Sequence, residues 1–155
     1  MAKRTAKGTR FVRAKSMTDC KSIVESLDTR IDAIIDDLVT IRHDLHAHPE
    51  LGYEENRTSK VIQDFLGELG IEHKAGLAKG TGVFAHLEGK GTSAIGLRAD
   101  IDALPIVEEN TFEWKSQHEG CMHACGHDGH TTILLGVSKV LSQIAQEDSL
   151  PNPVS

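Results

Sequence analysis

The sequence predicts a layered α/β fold, on three observations: apolar residues at helical spacing in the first half, short alternating segments bounded by glycines in the middle, and a further helical stripe near the end. In residues 22–46, Ile23, Leu27, Ile31, Ile34, Ile35, Leu38, Ile41 and Leu45 share one stripe, and Pro49 stops it. One long amphipathic helix is expected there. Residues 55–69 give a second, with Val61, Ile62, Phe65, Leu66 and Leu69 apolar and Gly70 where a helix-ending glycine belongs. Strands are expected at 71–74, 82–88 and 94–101, with Gly89-Lys90-Gly91 turning between the last two. Residues 131–146 place Ile133, Leu134, Val137, Val140, Leu141 and Ile144 on a third helical stripe, with Asp128 as a suitable N-cap. Residues 148–153 read as a loop, and there is no internal repeat or low-complexity run.

Composition sets outer limits on function. With 155 residues, 39% of them hydrophobic and 26% charged, the chain can build one core, so one domain or part of one is expected. Residues 1–16 carry six Lys and Arg and no acid, leaving −12 on the remainder of a chain whose net charge is −6. The expected division is therefore a basic, disordered extension at 1–19 and a partial catalytic domain at 20–155. An acidic body argues against nucleic acid as a partner, because phosphate binding relies on clustered Lys and Arg. No apolar run reaches the roughly 20 residues that span a bilayer, so no membrane partner and a cytoplasmic location are expected. Three cysteines, Cys20, Cys121 and Cys125, do not suggest a disulfide framework, and a reducing compartment would keep Cys125 available to a metal.

Chemistry is concentrated in Met122-His123-Ala124-Cys125-Gly126-His127-Asp128-Gly129-His130. Thiolate and imidazole suit zinc-like divalent cations better than the oxygen cages built for calcium or magnesium. Cys125 and His127, two apart, share a side in an extended or irregular segment but diverge on a helix, so the pair calls for a turn or strand end. Gly126 between them permits a tight backbone bend. A helix beginning just after them would favour a thiolate through its N-terminal partial charge. An isolated Cys-x-His is commonly a packed thiol beside a hydrogen-bonded imidazole; the density of histidines here favours a metal site.

A second cluster follows from the 94–101 strand, in which Ile95, Leu97, Ala99 and Ile101 alternate with Gly96, Arg98, Asp100 and Asp102. Its polar face turns acidic at the carboxyl end, where open α/β sheets gather their ligands. Asp100 and Asp102 are thus candidates to bind a metal or to orient a metal-bound His, against the alternative that Arg98 and Asp100 form an ordinary ion pair. His123, Asp128 and His130 lie close enough to the candidate ligands to support them or to touch substrate. His46, His48 and Glu50 near a helix end are read as structural first. His73, His86 and His118 are read as ordinary, and Phe112 and Trp114 as core or cover.

In this order, Arg42-His43-Asp44-Leu45-His46-Ala47-His48-Pro49-Glu50, Leu97-Arg98-Ala99-Asp100-Ile101-Asp102-Ala103-Leu104-Pro105 and the 122–131 motif resemble metal-dependent amidohydrolases of the hippurate hydrolase and N-acyl-amino-acid type, in the superfamily of carboxypeptidase G and succinyl-diaminopimelate desuccinylase. The resemblance implies the N-terminal part of a zinc-exopeptidase-like layered catalytic domain that stops before the lid or dimerisation domain. It also implies divalent metal (Mn, Zn, Co or Ni, two ions in the complete enzyme), a small N-acyl amino acid as substrate, and a homo-oligomer. Carried over by position, Cys125 and His127 match metal ligands and Asp102 the aspartate that steadies the centre, while Asp100 stands where other members place a ligating His. The family's catalytic base is the first of two adjacent glutamates beyond the helix that follows Cys-Gly-His. Glu54-Glu55 and Glu108-Glu109 both precede that motif, so neither matches. Two expectations result: an N-acyl amino acid hydrolase whose site is incomplete in this chain, or a noncatalytic piece that needs a complementary chain.

Overall fold

The computed structural model describes residues 17–155; residues 1–16, and with them most of the expected basic extension, lie outside the described residues. The expected single helix over 22–46 is two, α1 (Met17–Asp32) and α2 (Ile35–Ala47). The break at Ala33 and Ile34 tightens the last turn, with the Ile34 N–H reaching the Ile31 carbonyl at 3.0 Å, and it buries Ile34 to 4% exposure while Ile31 and Ile35 on either side stay exposed. Asp36 and Asp37 in the first turn of α2 complement its partial positive end and favour a restart. Only the lower part of the apolar stripe is deeply buried, ending at the fully enclosed Leu45.

Pro49 ends the turn after α2, and α3 (Asn56–Glu68) follows as expected. Its first turn is capped from a distance: the Glu50 carboxylate accepts the N–H groups of Arg57 at 2.9 Å and Thr58 at 2.8 Å, so Glu50 is a structural residue. After Gly70 (φ 68), the Ile71 N–H still bonds the Leu66 carbonyl, which delays the next strand by two residues relative to expectation. That strand, β1 (His73–Leu77), pairs antiparallel with β2 (Gly82–Ala85), with a register irregularity between Lys74 and Leu77.

The expected strand over 94–101 is not formed. Ile95 alone makes a ladder bridge, with Val154, and the hydrogen bonds of the segment end at Leu97, because a strand exists only where a neighbour completes its bonds. The expected loop at 148–153 is likewise corrected: Leu150 bridges Gly89, and Val154 lies between Leu87 and Ile95, antiparallel to one and parallel to the other.

A long helix, α4 (His127–Glu147), carries the core. It begins at His127, four residues before the expected start at 131. Its N-cap is Gly126, in the left-handed region at φ 77, and not Asp128 as expected. Helices α2 and α4 touch at Gly136, where a Cβ would come within 2.7 Å of Leu38 Cδ1. Leu45, Leu66, Ile71, Ala103, Leu135 and Leu150 form the buried centre. Between β2 and α4 the chain is largely irregular but anchored: Ala103 pairs with Leu51, and Leu104 exchanges both backbone bonds with Met122 at 2.9 and 3.0 Å. These two clamps set Asp102 against the start of α4.

Candidate metal-binding site

Two loops meet at the head of α4. The Leu51–Ala103 and Leu104–Met122 pairings hold residues 102–104 in place, and the left-handed Gly126 turns the chain so that Cys125 precedes the helix and His127 opens it. The His127 Nδ1 bonds the Asp102 carboxylate at 2.9 Å and the Asp102 carbonyl at 3.0 Å. Both partners are oxygen acceptors, so Nδ1 carries a proton, and in the neutral ring that tautomer presents Nε2, the nitrogen a metal would take. Cys125 is exposed and unbridged. A soft thiol and an oriented imidazole fit a divalent metal by chemistry, but among the described residues no group of three or more His, Cys, Asp or Glu converges to hold an ion.

Behind this surface lies a buried ionic network that residue spacing does not reveal. His46 Nδ1 meets Asp128 Oδ2 at 2.8 Å, and its Nε2 meets Glu108 Oε1 at 3.1 Å. Arg42 Nε lies 3.4 Å from the same Asp128 oxygen. Carboxylates only accept, so an N–H on each ring nitrogen would serve both bonds, and Arg42, whose side chain is 46% exposed, adds its charge to Asp128 from the solvent side. Glu108 also accepts the Asn110 side-chain amide at 2.8 Å and the Ser116 N–H at 2.6 Å. Burial pushes the Glu108 carboxyl upward, yet the bonds from Asn110, Ser116 and His46 outweigh it and hold the group below its ordinary 4.5. Phe112 and Trp114 cover this network as expected, Trp114 stacking on Phe112 at 3.7 Å and on His43 at 4.1 Å between ring centroids.

The sequence-predicted residues divide accordingly. Asp102 and His127 are in direct contact, and Cys125 lies on the turn before His127. Asp100 pairs with Arg98 on the exposed side and lends its carbonyl to Thr131, so the ordinary ion pair describes it. Asp128 is 1% exposed and faces into the fold, where it anchors His46. His130 is exposed, its ring 5.8 Å from that of His127. His123 is buried with neither nitrogen bonded among the described residues. Burial, opposed by the Asp128 charge and reinforced by His46 and His127, holds it below the ordinary 6.5. Sequence reading gave Arg42 and Glu108 no part in this network and put the structural reading of His46 first, without its partners; 82 residues separate His46 from Asp128 and 62 separate it from Glu108.

Residues 96–155 match the model of peptidase family M20/M25/M40. An N-acyl-L-amino acid amidohydrolase of Geobacillus stearothermophilus is 43% identical over 124 residues, which is 79% of this chain and 33% of that enzyme. An uncharacterized hydrolase of Staphylococcus haemolyticus is 47% identical over 113 residues, 73% of this chain and 29% of that protein. The chain therefore spans about a third of the length of these curated relatives. Among solved structures, the YXEP protein of Bacillus subtilis, described as a dinuclear metal binding peptidase from the M20 family, superposes with a TM-score of 0.73 at 41% identity, covering 79% of this chain and 34% of that one. Family model, relatives and fold agree, and each likeness of this chain points to peptidase family M20/M25/M40.

Proposed function

We propose that this chain supplies the Cys125 and His127 side of a divalent-metal centre in a hydrolase that cleaves the amide bond of N-acyl amino acids. The observation that carries the reading is the Asp102 carboxylate on His127 Nδ1, at 2.9 Å, which orients the ring and turns the other ring nitrogen away from Asp102, with an exposed cysteine two residues earlier in the chain. A divalent ion held there would polarise an amide carbonyl and acidify water. This chain's own residues contribute orientation and shielding. Asp102 fixes the imidazole, Gly126 shapes the turn, and the Arg42, Asp128, His46 and Glu108 network stiffens the ground beneath it. The similarity to an N-acyl-L-amino acid amidohydrolase supports the substrate class, and the dinuclear relative supports two ions in a complete centre. A general base has no sequence match in residues 1–155, so the reading assigns it, and the remaining ligands, to polypeptide outside them. The metal half of the proposal is tested by calorimetric titration of the 155-residue chain with Zn²⁺ and Mn²⁺. Weak binding is expected, since two ligands leave most of a coordination sphere to water, and Cys125→Ala and His127→Ala should each diminish it. Tight binding that both variants retain would show that the ligands lie elsewhere.

A further inference from the structure

At the end of α2 two histidines from distant segments stand side by side. His48 is the residue that closes α2, and His118 belongs to the irregular stretch that leads into the Leu104–Met122 clamp. Their ring centroids are 6.1 Å apart, with the planes at 81°. Each ring is held from behind by a backbone oxygen: His48 Nδ1 meets the Asp44 carbonyl at 2.8 Å, and His118 Nδ1 meets the Pro49 carbonyl at 2.9 Å. A carbonyl can only accept, so both Nδ1 atoms carry protons, and in the neutral rings both Nε2 atoms present a lone pair. Neither Nε2 has a hydrogen-bond partner among the described residues.

The mounting is stiff. The Gln117 N–H bonds the Ala47 carbonyl at 2.8 Å, the His118 N–H bonds Ser116 Oγ at 3.1 Å, and the His118 carbonyl accepts the Cys121 N–H at 3.2 Å, so the backbone around His118 is fastened to the helix end and to itself. The spacing suits a shared ion. A zinc ion about 2.0–2.1 Å from an imidazole nitrogen lies about 3.2 Å from the ring centre, so two rings sharing it have centroids about 5–6.5 Å apart. Nearby acids are committed elsewhere: Asp44 takes Arg57 Nη2 through both oxygens at 2.7 and 2.9 Å, and Glu50 takes two N–H groups at the head of α3. Burial, and then the Glu50 charge, hold the buried Cys121 thiol above its ordinary 9.0, so it stays protonated. What remains is a pair of neutral imidazoles with water, a donor set for borderline cations such as Zn²⁺ and not for the oxygen-seeking Ca²⁺ or Mg²⁺. Asp44 Oδ1, 3.5 Å from His48 Nδ1, places negative charge behind that ring and raises its basicity toward an ion in front.

We propose that His48 and His118 form a second metal site, which takes one zinc-class divalent cation through both Nε2 atoms, with water completing its coordination sphere. Two protein donors make it weaker than the three- and four-ligand sites of catalytic and structural zinc. The bound ion staples the segment that carries Phe112 and Trp114 to the end of α2. The pair shares no residue with Cys125 and His127 and stands without them.

The test is zinc titration of the 155-residue chain carrying both Cys125→Ala and His127→Ala, followed by side-chain ¹⁵N NMR of its histidines. Nε2 of His48 and Nε2 of His118 should shift together with one midpoint and saturate, while both Nδ1 atoms remain protonated. Adding His118→Ala should lower the zinc affinity read at His48 by at least about tenfold, since loss of a supporting group alone costs that much at a metal site. Mg²⁺ in place of Zn²⁺ should move neither ring. The unsubstituted chain gives the same reading at these two rings, so the outcome does not depend on how the variants fold. Zinc-induced shifts confined to other histidines, such as His73 or His86, would overturn the proposal, as would an affinity at His48 that His118→Ala leaves unchanged. Absence of any saturable shift at the pair would overturn it too, whatever happens at Cys125 and His127.

Discussion

At the residue scale, the contact between Asp102 and His127 is the arrangement the sequence anticipated, while the network beneath it was not legible. Asp100 and Asp102 both end an alternating segment, yet only Asp102 faces the imidazole; Asp100 faces Arg98 and solvent, a choice made by the Leu51–Ala103 clamp. Asp102→Asn keeps the shape but weakens the acceptor on His127 Nδ1, and should lower zinc affinity by about 10-fold or more in calorimetric titration. Glu108→Gln removes a buried charge from His46 and should cost about 1.5–3 kcal/mol of stability at pH 7, measured by urea unfolding. Its pH dependence has a definite sign. The folded Glu108 titrates below 4.5, so its stabilisation is present above that pH and fades as pH falls through the lower folded value. The gap between wild type and Glu108→Gln should narrow in that acid range, and a gap independent of pH would contradict the assignment.

At the element scale, periodicity located α3 and most of α4 but overran the break between α1 and α2, since Ile34 and Ile35 both fit one stripe and only packing against α4 decides which is buried. The strand forecasts were weaker for a related reason. Alternation describes which faces a segment could present, whereas a ladder needs a partner, and the partner of Ile95 is a residue 59 positions later. Gly89 shows how closely that pairing is built. A Cβ there would fall on the Asn152 carbonyl group and the Pro153 nitrogen, which are backbone atoms that cannot swing aside. Gly89→Ala should therefore cost about 1–3 kcal/mol and speed amide exchange at Leu87 and Val154, with little change at Thr132 in α4. Gly136 offers the contrast. A methyl there meets only the tip of Leu38, a side chain free to change rotamer, and the helix gains up to about 1 kcal/mol from alanine, so Gly136→Ala should leave the urea midpoint nearly unchanged.

At the scale of the whole molecule, a partial ligand set decides the expected behaviour of these 155 residues on their own. Supplied with Mn²⁺ or Zn²⁺, they should not hydrolyse hippurate or other N-acyl amino acids detectably, because general-base catalysis alone contributes about 10²- to 10⁴-fold and the donors that converge are too few to close a centre. Metal-dependent turnover abolished by Cys125→Ala would refute this. No helix among the described residues is long and apolar enough to cross a membrane. By itself the sequence determined the helix-and-strand class, the family resemblance, and the pairing of an acidic segment end with the Cys125-Gly126-His127 turn, because these rest on local periodicity and on motifs confined to a few residues. Tertiary structure alone decided that Asp128 and Glu108 grip His46, that Glu50 caps α3, and that residues 153–155 slide between Leu87 and Ile95, since each joins groups far apart in the chain whose alignment depends on how helices and edges pack.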